Sequence, residues 1–354
     1  MPQEYHNSSE EPPTRHVQER HSVQRYDKMG EVSEESTPAN TWGLIEWNGE
    51  VRSVYQDTEL MRMFVNPILT TKPHGVTRFA DFGGANGKVL REVFTMTREA
   101  QLQELYEEQL ATGLSEEGAR KVADDRFSRE GILPIGLTID AELKVKDGKT
   151  TRAWNEFREA NPDDTSRVFA SATDYMQEVP NIAPDSLDIA LSRYSLQYVS
   201  AENHTVFLKR QADLVKPGGQ VLAQWPGAAD ERSEVMLNTF WSNFAHITQG
   251  VDPAEFLTRQ HYPTLEQVQK AVEDAGLTIT SLESVPNLKI FMYEEALSNG
   301  TRFTPLSESQ KADLRELYVH LHNEFPDLVH FDEETDNYWT SMTLGMLVAE
   351  KPTE

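Results

Sequence analysis

Cysteine is absent from the 354 residues. That removes disulfides, thiolate metal sites and cysteine nucleophiles together. No apolar run approaches the roughly 18 residues that a membrane-crossing helix needs, so no membrane partner is expected. The first twenty residues, MPQEYHNSSEEPPTRHVQER, lack the apolar core of a secretory signal. They are also too acidic for a typical transit peptide, and a cytoplasmic location is the expectation. Lys/Arg-rich stretches are missing too: acidic side chains outnumber basic ones 58 to 33, leaving a formal charge of −25. Such a surface repels polyanions on average, so no nucleic-acid partner is expected. The acidity reads as a solubility feature.

What is present suffices for a packed core: 38% of the residues are hydrophobic, in a chain long enough for one large domain or two small ones. Residues 1–25 are polar, carry Pro12-Pro13 and almost no aliphatic side chains, and read as a disordered tail. Residues 26–75, with Trp42, Trp47, Tyr55 and the short helical pattern DTELMRMFVNPIL, read as an N-terminal helical cover. From residue 76 onward short apolar runs alternate with helical patterns. TRFADFG, LPIGLTID, SRVFASAT, SLDIALSRYSL and GQVLAQW read as strands; GKVLREVF, TRAWNEFREAN and AENHTVFLKRQADLV read as helices. That alternation predicts a mostly parallel sheet with helices on both faces. Two segments interrupt it, a charged helical insertion at 96–131 and a second at 227–265 containing EVMLNTFWSNFAHI. A helix TLEQVQKAVEDAGL, a strand TITSLESVP and a last strand TSMTLGMLVAEKP follow.

The most informative stretch is RFADFGGANGKVLREVF, residues 78–94. Glycines at a strand-to-helix turn let backbone approach a ligand closely, and the helix start beyond presents free N–H groups. The dinucleotide fingerprint G-x-G-x-x-G, aligned from Gly83, requires glycine at 85 and 88, where Ala85 and Lys88 stand. The spacing acidic-x-G-x-G-x-G fits better: Asp81-Phe82-Gly83-Gly84-Ala85-Asn86-Gly87, with Ala85 at the middle glycine. This resembles motif I of the class I S-adenosylmethionine-dependent methyltransferases. The resemblance continues in order through Asp140 in LTIDAEL, the polar SATDY, PDSLDIALSRYSLQYV and LVKPGGQVLAQW, and spans residues 76–95, 132–226 and 262–350.

The resemblance implies a Rossmann-like α/β sheet of seven strands, mostly parallel with an antiparallel last strand, and a methyltransferase domain over 76–354. It implies S-adenosylmethionine as cofactor. Asp81, Gly83, Gly84, Ala85 and Gly87 would line its methionine end, and Asp140 would accept from the ribose hydroxyls. Asp174 would lie near the adenine, with Ser171 and Thr173 as alternatives of register. Arg193 joins this set from the segment after the fourth strand.

Methyl transfer from a sulfonium is an in-line displacement with a neutral leaving group, so positioning and exclusion of water carry most of the catalysis. A base is needed only when the acceptor must lose a proton. Tyr194, Gln197 and His246 are candidates to orient or deprotonate an acceptor; the bland alternatives are a pocket wall, a helix cap and a surface histidine. Trp225, Phe240, Trp241 and Phe244 build either an apolar acceptor pocket or an ordinary core face. His320 and His322 stand two apart, which does not place them on one helix face, and no metal is expected. The leading expectation is methyl transfer to a small-molecule acceptor, at oxygen. The alternatives are a nicotinamide-dependent oxidoreductase and an inactive methyltransferase-like scaffold.

Overall fold

A computed structural model describes residues 44–47, 50–53, 61–66, 78–83, 88–131, 135–139, 145–146, 149–150, 168–171, 176, 182–291, 306–333 and 337–353. In chain order the strands are β1 (Leu44–Trp47), β2 (Glu50–Ser53), β3 (Arg78–Phe82), β4 (Ile135–Ile139), β5 (Val145–Lys146), β6 (Lys149–Thr150), β7 (Val168–Ser171), β8 (Leu187–Arg193), β9 (Val215–Gly227), β10 (Thr278–Phe291), β11 (Val329–Asp332) and β12 (Asn337–Glu350). The helices are α1 (61–66), α2 (Lys88–Ala111), α3 (Glu116–Glu130), α4 (His204–Leu214), α5 (Glu231–Gln249), α6 (Pro253–Leu257), α7 (Leu265–Asp274) and α8 (Glu308–Glu324).

Apart from the small β5–β6 pair, the strands form one sheet in the order β2-β1-β10-β12-β9-β8-β3-β4-β7, with β11 on β12. β7, β4, β3, β8 and β9 run parallel, while β12 lies antiparallel between β9 and β10. β3 thus lies beside both β4 and β8, and the strand order reverses between β3 and β8. All seven residues of β8 are buried, and its centre, Ile189–Leu191, is three consecutive apolar residues, as in a strand covered on both faces. One sheet face packs Phe79, Ile189, Leu191 and Leu222 under Val89, Leu90 and Val93 of α2 and under α1. The other packs Ala80, Phe82, Val221 and Ala223 under Phe207 and Leu208 of α4 and Val268 and Val272 of α7. A third cluster joins α5 and α8 to Tyr194 and β12.

The amino ends of the parallel strands are tied by the acidic residues of PDSLDIALS. Asp188 accepts from the Arg78 N–H at 2.8 Å and pairs with Lys216, and Asp185 pairs with Lys351 at 2.7 Å. That end is structural, and it leaves the carboxyl ends for a ligand.

Three features differ from the sequence expectation. The cover expected to be helical over 26–75 contains a β-hairpin: β1 and β2 pair with each other, and β1 extends the sheet beside β10. Only 61–66 is helical among its described residues. The insertion expected at 96–131 is not a separate pair of helices, because α2 runs unbroken from Lys88 to Ala111 and only α3 is added. Trp225 lies inside β9 and pairs with Gly345 of β12. A Cβ at Gly345 would overlap its indole, so Trp225 fills the core and does not line an acceptor pocket. The tail at 1–25 and the helix expected over TRAWNEFREAN lie outside the described residues.

Candidate active site at the carboxyl ends of β3, β4 and β8

Ligands of open α/β sheets bind beyond the carboxyl ends of the strands, at the point where the strand order reverses. Here that point lies between β3 and β8. Asp81 stands opposite Thr138 on β4 and Leu191 on β8, and is completely buried. Gly83 follows with φ +80°, a left-handed conformation that glycine adopts at no steric cost. Its N–H donates to the Ile139 carbonyl at 2.8 Å, so the turn leaves β3 by crossing the end of β4. Gly84, Ala85, Gly87, Asp140, Thr173 and Asp174 lie outside the described residues, as does the side chain of Ser171.

The segment after β8 forms the opposite wall. Arg193 ends the strand, is 8% exposed, and donates from Nε to Gln224 Oε1 of β9 at 2.7 Å. Its guanidinium carbon stands 4.4 Å from the centre of the Tyr194 ring, and Nη2 donates to the Tyr194 hydroxyl at 3.3 Å. Tyr194 has φ +55°, which is uncommon for a bulky side chain and persists only where the surroundings impose it. The imposing contacts are visible. The Tyr194 N–H donates to the Gln224 carbonyl at 2.8 Å, and its ring is buried among the apolar side chains of α5 and α8. Ser195 Oγ then donates to the Phe82 carbonyl at 2.8 Å, fastening this turn to the end of β3. Gln197 sits in the 3-10 turn Leu196–Tyr198 and donates from Nε2 to the Tyr194 carbonyl at 2.8 Å.

A layer of polar side chains backs the turn. His204, at the start of α4, faces the Val199 carbonyl through Nε2 at 3.0 Å. Its imidazole is pushed down to about 4, first by burial and then by the neighbouring His261, against the pull of the Val199 and Leu196 carbonyls. The His261 N–H donates to the Gln197 carbonyl at 3.0 Å, and the two imidazole centres are 5.4 Å apart. Asn238 Oδ1 accepts from the Tyr262 N–H at 3.2 Å, which turns the Asn238 amide nitrogen toward His261 Nδ1 at 3.4 Å. This arrangement assigns the His261 proton to Nε2, which faces Glu234 at 3.2 Å and Gln267 at 3.3 Å. Glu234 and Asn238 belong to α5, so this layer joins the second insertion to the turn after β8.

Other sequence candidates fall elsewhere. His246 faces the Val251 carbonyl through Nδ1 at 3.1 Å and closes the last turn of α5. Phe240 and Phe244 pack together and Phe240 packs on Tyr318 of α8, while Trp241 stacks on Tyr262 at 5.9 Å. Their common face is therefore a core face. His320 pairs with Glu324 and His322 faces the Val329 carbonyl; no group of three metal-ligating side chains occurs among the described residues. No described helix is long and apolar enough to cross a membrane. Gln224 and His204 are residues that sequence reasoning missed. Gln224 alone gave a signal, as a polar side chain inside the apolar run VLAQW.

No protein-family model and no curated protein matches the chain. Solved structures do. A proposed methyltransferase of Bacillus halodurans superposes with a TM-score of 0.53 at 13% identity, over 82% of this chain and 97% of that one. The YcgJ protein of Bacillus subtilis gives 0.53 at 11% identity, over 82% and 99%. Together with the antiparallel β12 between β9 and β10, these decide the architecture. The chain has the class I methyltransferase fold. At such identities the likeness reaches the fold alone, and in a methyltransferase fold the chemistry must be argued from the residues at the strand ends.

Proposed function

We propose that this chain binds S-adenosylmethionine at the carboxyl ends of β3, β4 and β8 and transfers its methyl group to a small-molecule acceptor, at oxygen. The observation that carries this reading is the end of β3: a fully buried Asp81 followed by Gly83 in a left-handed turn, at the strand-order reversal of a methyltransferase fold. The donor set fits the cofactor. A carboxylate suits its cationic methionine end, the glycine turn admits close approach, and Asp140 follows the end of β4 in sequence, where a ribose acceptor is needed.

The bound cofactor supplies a methyl group already activated on sulfur. Asp81 and the turn after it hold the methionine end. Ser195 fixes the post-β8 turn against β3, and the apolar cluster under α5 excludes water from the reacting side. The Tyr194 phenol, anchored by Arg193 Nη2, marks where an acceptor oxygen is oriented. The absence of any polyanion-binding stretch in the sequence favours a small acceptor over nucleic acid, and the soluble cytoplasmic setting remains part of the proposal.

The experiment is a screen of metabolite pools with S-adenosylmethionine labelled in its methyl group. Label in an oxygen-methylated small molecule is the expected outcome. Label only on protein, nucleic acid or nitrogen would overturn the acceptor class, and binding without transfer to any pool would favour the scaffold alternative.

A further inference from the structure

His261 and Tyr262, between α6 and α7, meet side chains whose orientations are fixed by backbone N–H groups. The Tyr262 N–H donates to Asn238 Oδ1 at 3.2 Å. A backbone N–H only donates, so this bond turns the Asn238 amide nitrogen toward His261 Nδ1 at 3.4 Å. The Thr264 N–H likewise donates to Gln267 Oε1 at 3.0 Å, and Gln267 Nε2 then donates to Glu234 at 2.7 Å. Between these two fixed amides the imidazole has one consistent form. Nε2 carries the proton, toward Glu234 and Gln267 Oε1, and Nδ1 accepts from Asn238.

The titratable groups that face His261 among the described residues come from three elements. Glu234 of α5 lies 3.2 Å from Nε2, and Glu202, in the turn before α4, interacts with both His204 and His261. His204 of α4 has its ring centre 5.4 Å away. Its imidazole is pushed down to about 4, by burial first and then by His261, so it stays neutral where histidines ordinarily titrate. On the same segment as His261, Arg259 is paired with Glu255. The His261 side chain is 12% exposed, so solvent reaches it. Nδ1 is the nitrogen left to take a second proton, and a proton there faces the Asn238 amide nitrogen, donor against donor. Turning that amide over gives the Nδ1–H an oxygen, but it also turns the amide nitrogen toward the Tyr262 N–H. One of the two donors must lose its acceptor.

We propose that His261 is a proton-operated latch: on gaining a proton at Nδ1 it takes the Asn238 oxygen from the Tyr262 N–H and releases the His261–Tyr262 segment from α5. The segment it holds joins the second insertion to the turn after β8. Tyr262 stacks on Trp241 of α5 at 5.9 Å and is buried in the cluster that contains Tyr194. The His261 N–H donates to the Gln197 carbonyl in the turn itself at 3.0 Å. The second insertion is therefore seated most firmly when His261 is neutral, and it loosens as the medium acidifies. The latch works whatever ligand the strand ends hold and is independent of the cofactor reading above.

The test is nuclear magnetic resonance on the full chain, without ligand, between about pH 8 and about pH 5.5. It follows the His261 ring nitrogens and the protection of the Tyr262 N–H against hydrogen exchange, corrected for the intrinsic pH dependence of exchange. The expected result is a ring protonated at Nε2 alone at the alkaline end. Tyr262 protection should then fall about tenfold, the scale of one hydrogen bond, with the same midpoint as the His261 ring. Protection that stays constant, or that falls with a different midpoint, overturns the latch. Asn238→Asp offers one oxygen to Tyr262 and the other to the Nδ1–H, and should keep Tyr262 protected across the range. His261→Gln has no ring to titrate, and its Tyr262 protection should not change with pH. A fall in either variant equal to that of the unmodified chain overturns the latch as well. If neither variant folds, the two midpoints in the unmodified chain decide alone.

Discussion

At the scale of single residues, His204 links the site to pH. It is neutral in the folded chain because burial, and then the neighbouring His261, depress its imidazole to about 4, below the ordinary histidine value of about 6.5. Between those two values the unfolded chain binds a proton that the folded chain refuses. Stability from this group is therefore full above about pH 6.5 and declines as pH falls toward 4. The amount is on the order of a few kcal/mol. His204→Gln should flatten the fall in melting temperature between pH 7 and pH 4.5 (about that range) relative to the unmodified chain; equal slopes would remove His204 from the account. A second residue-scale expectation concerns Asp140. If it accepts from the ribose, Asp140→Ala loses charge-assisted bonds worth roughly 1.5–3 kcal/mol. Affinity for S-adenosylhomocysteine should then drop about tenfold or more, with the melting temperature nearly unchanged. An unaltered dissociation constant would mean that another residue serves the ribose.

Among elements, the hairpin of α2 and α3 is the most separable. The last buried apolar residue that α2 gives to the core is Met96, and α3 buries only Ala119 and Ala123. Beyond Met96 the pair closes on itself: Arg98 lies over Phe127, Arg120 over Tyr106, and Arg126 bonds Glu108 and Glu130. Excising residues 100–129 and bridging the ends with a short Gly/Ser link should therefore leave folding and cofactor affinity intact. A collapse of the melting temperature would show that the hairpin carries core stability not evident from its packing. The strands β3, β8 and β9 were legible in the sequence, because each is an apolar run next to glycine or acidic punctuation. The β1–β2 hairpin was not read, although LIEW-NG-EVRS carries the Asn-Gly pair that favours a two-residue hairpin turn. Its edge position beside β10 depends on pairing across more than two hundred residues, which no local pattern encodes. The same applies to Trp225, whose place is set by the register of β12 against β9. The placement of Asp81 and Gly83 at the end of β3 was legible from spacing. The Arg193–Gln224 bond, the left-handed Tyr194 and the His204–His261 pair were not, since each arises where separate strands and helices meet.

For the molecule as a whole, the sheet order places the reversal at β3 and β8, the helices cover both faces, and the polar contacts at the amino ends of the strands lock the side away from the site. An acidic surface of net charge −25 suits a small, non-polyanionic ligand entering at the opposite edge. The same architecture argues against the nicotinamide alternative, because β12 enters antiparallel between β9 and β10 and Ala85 and Lys88 occupy two positions of the dinucleotide fingerprint. The central claim is that the carboxyl ends of β3, β4 and β8 hold S-adenosylmethionine. The most direct measurement is calorimetric titration of the full chain with S-adenosylmethionine, S-adenosylhomocysteine and the reduced and oxidised nicotinamide dinucleotides under one set of conditions. The account predicts one-site binding of the first two, with dissociation constants on the order of micromolar, and no heat from the dinucleotides. Saturable binding of a dinucleotide with no heat from either S-adenosyl compound would contradict it.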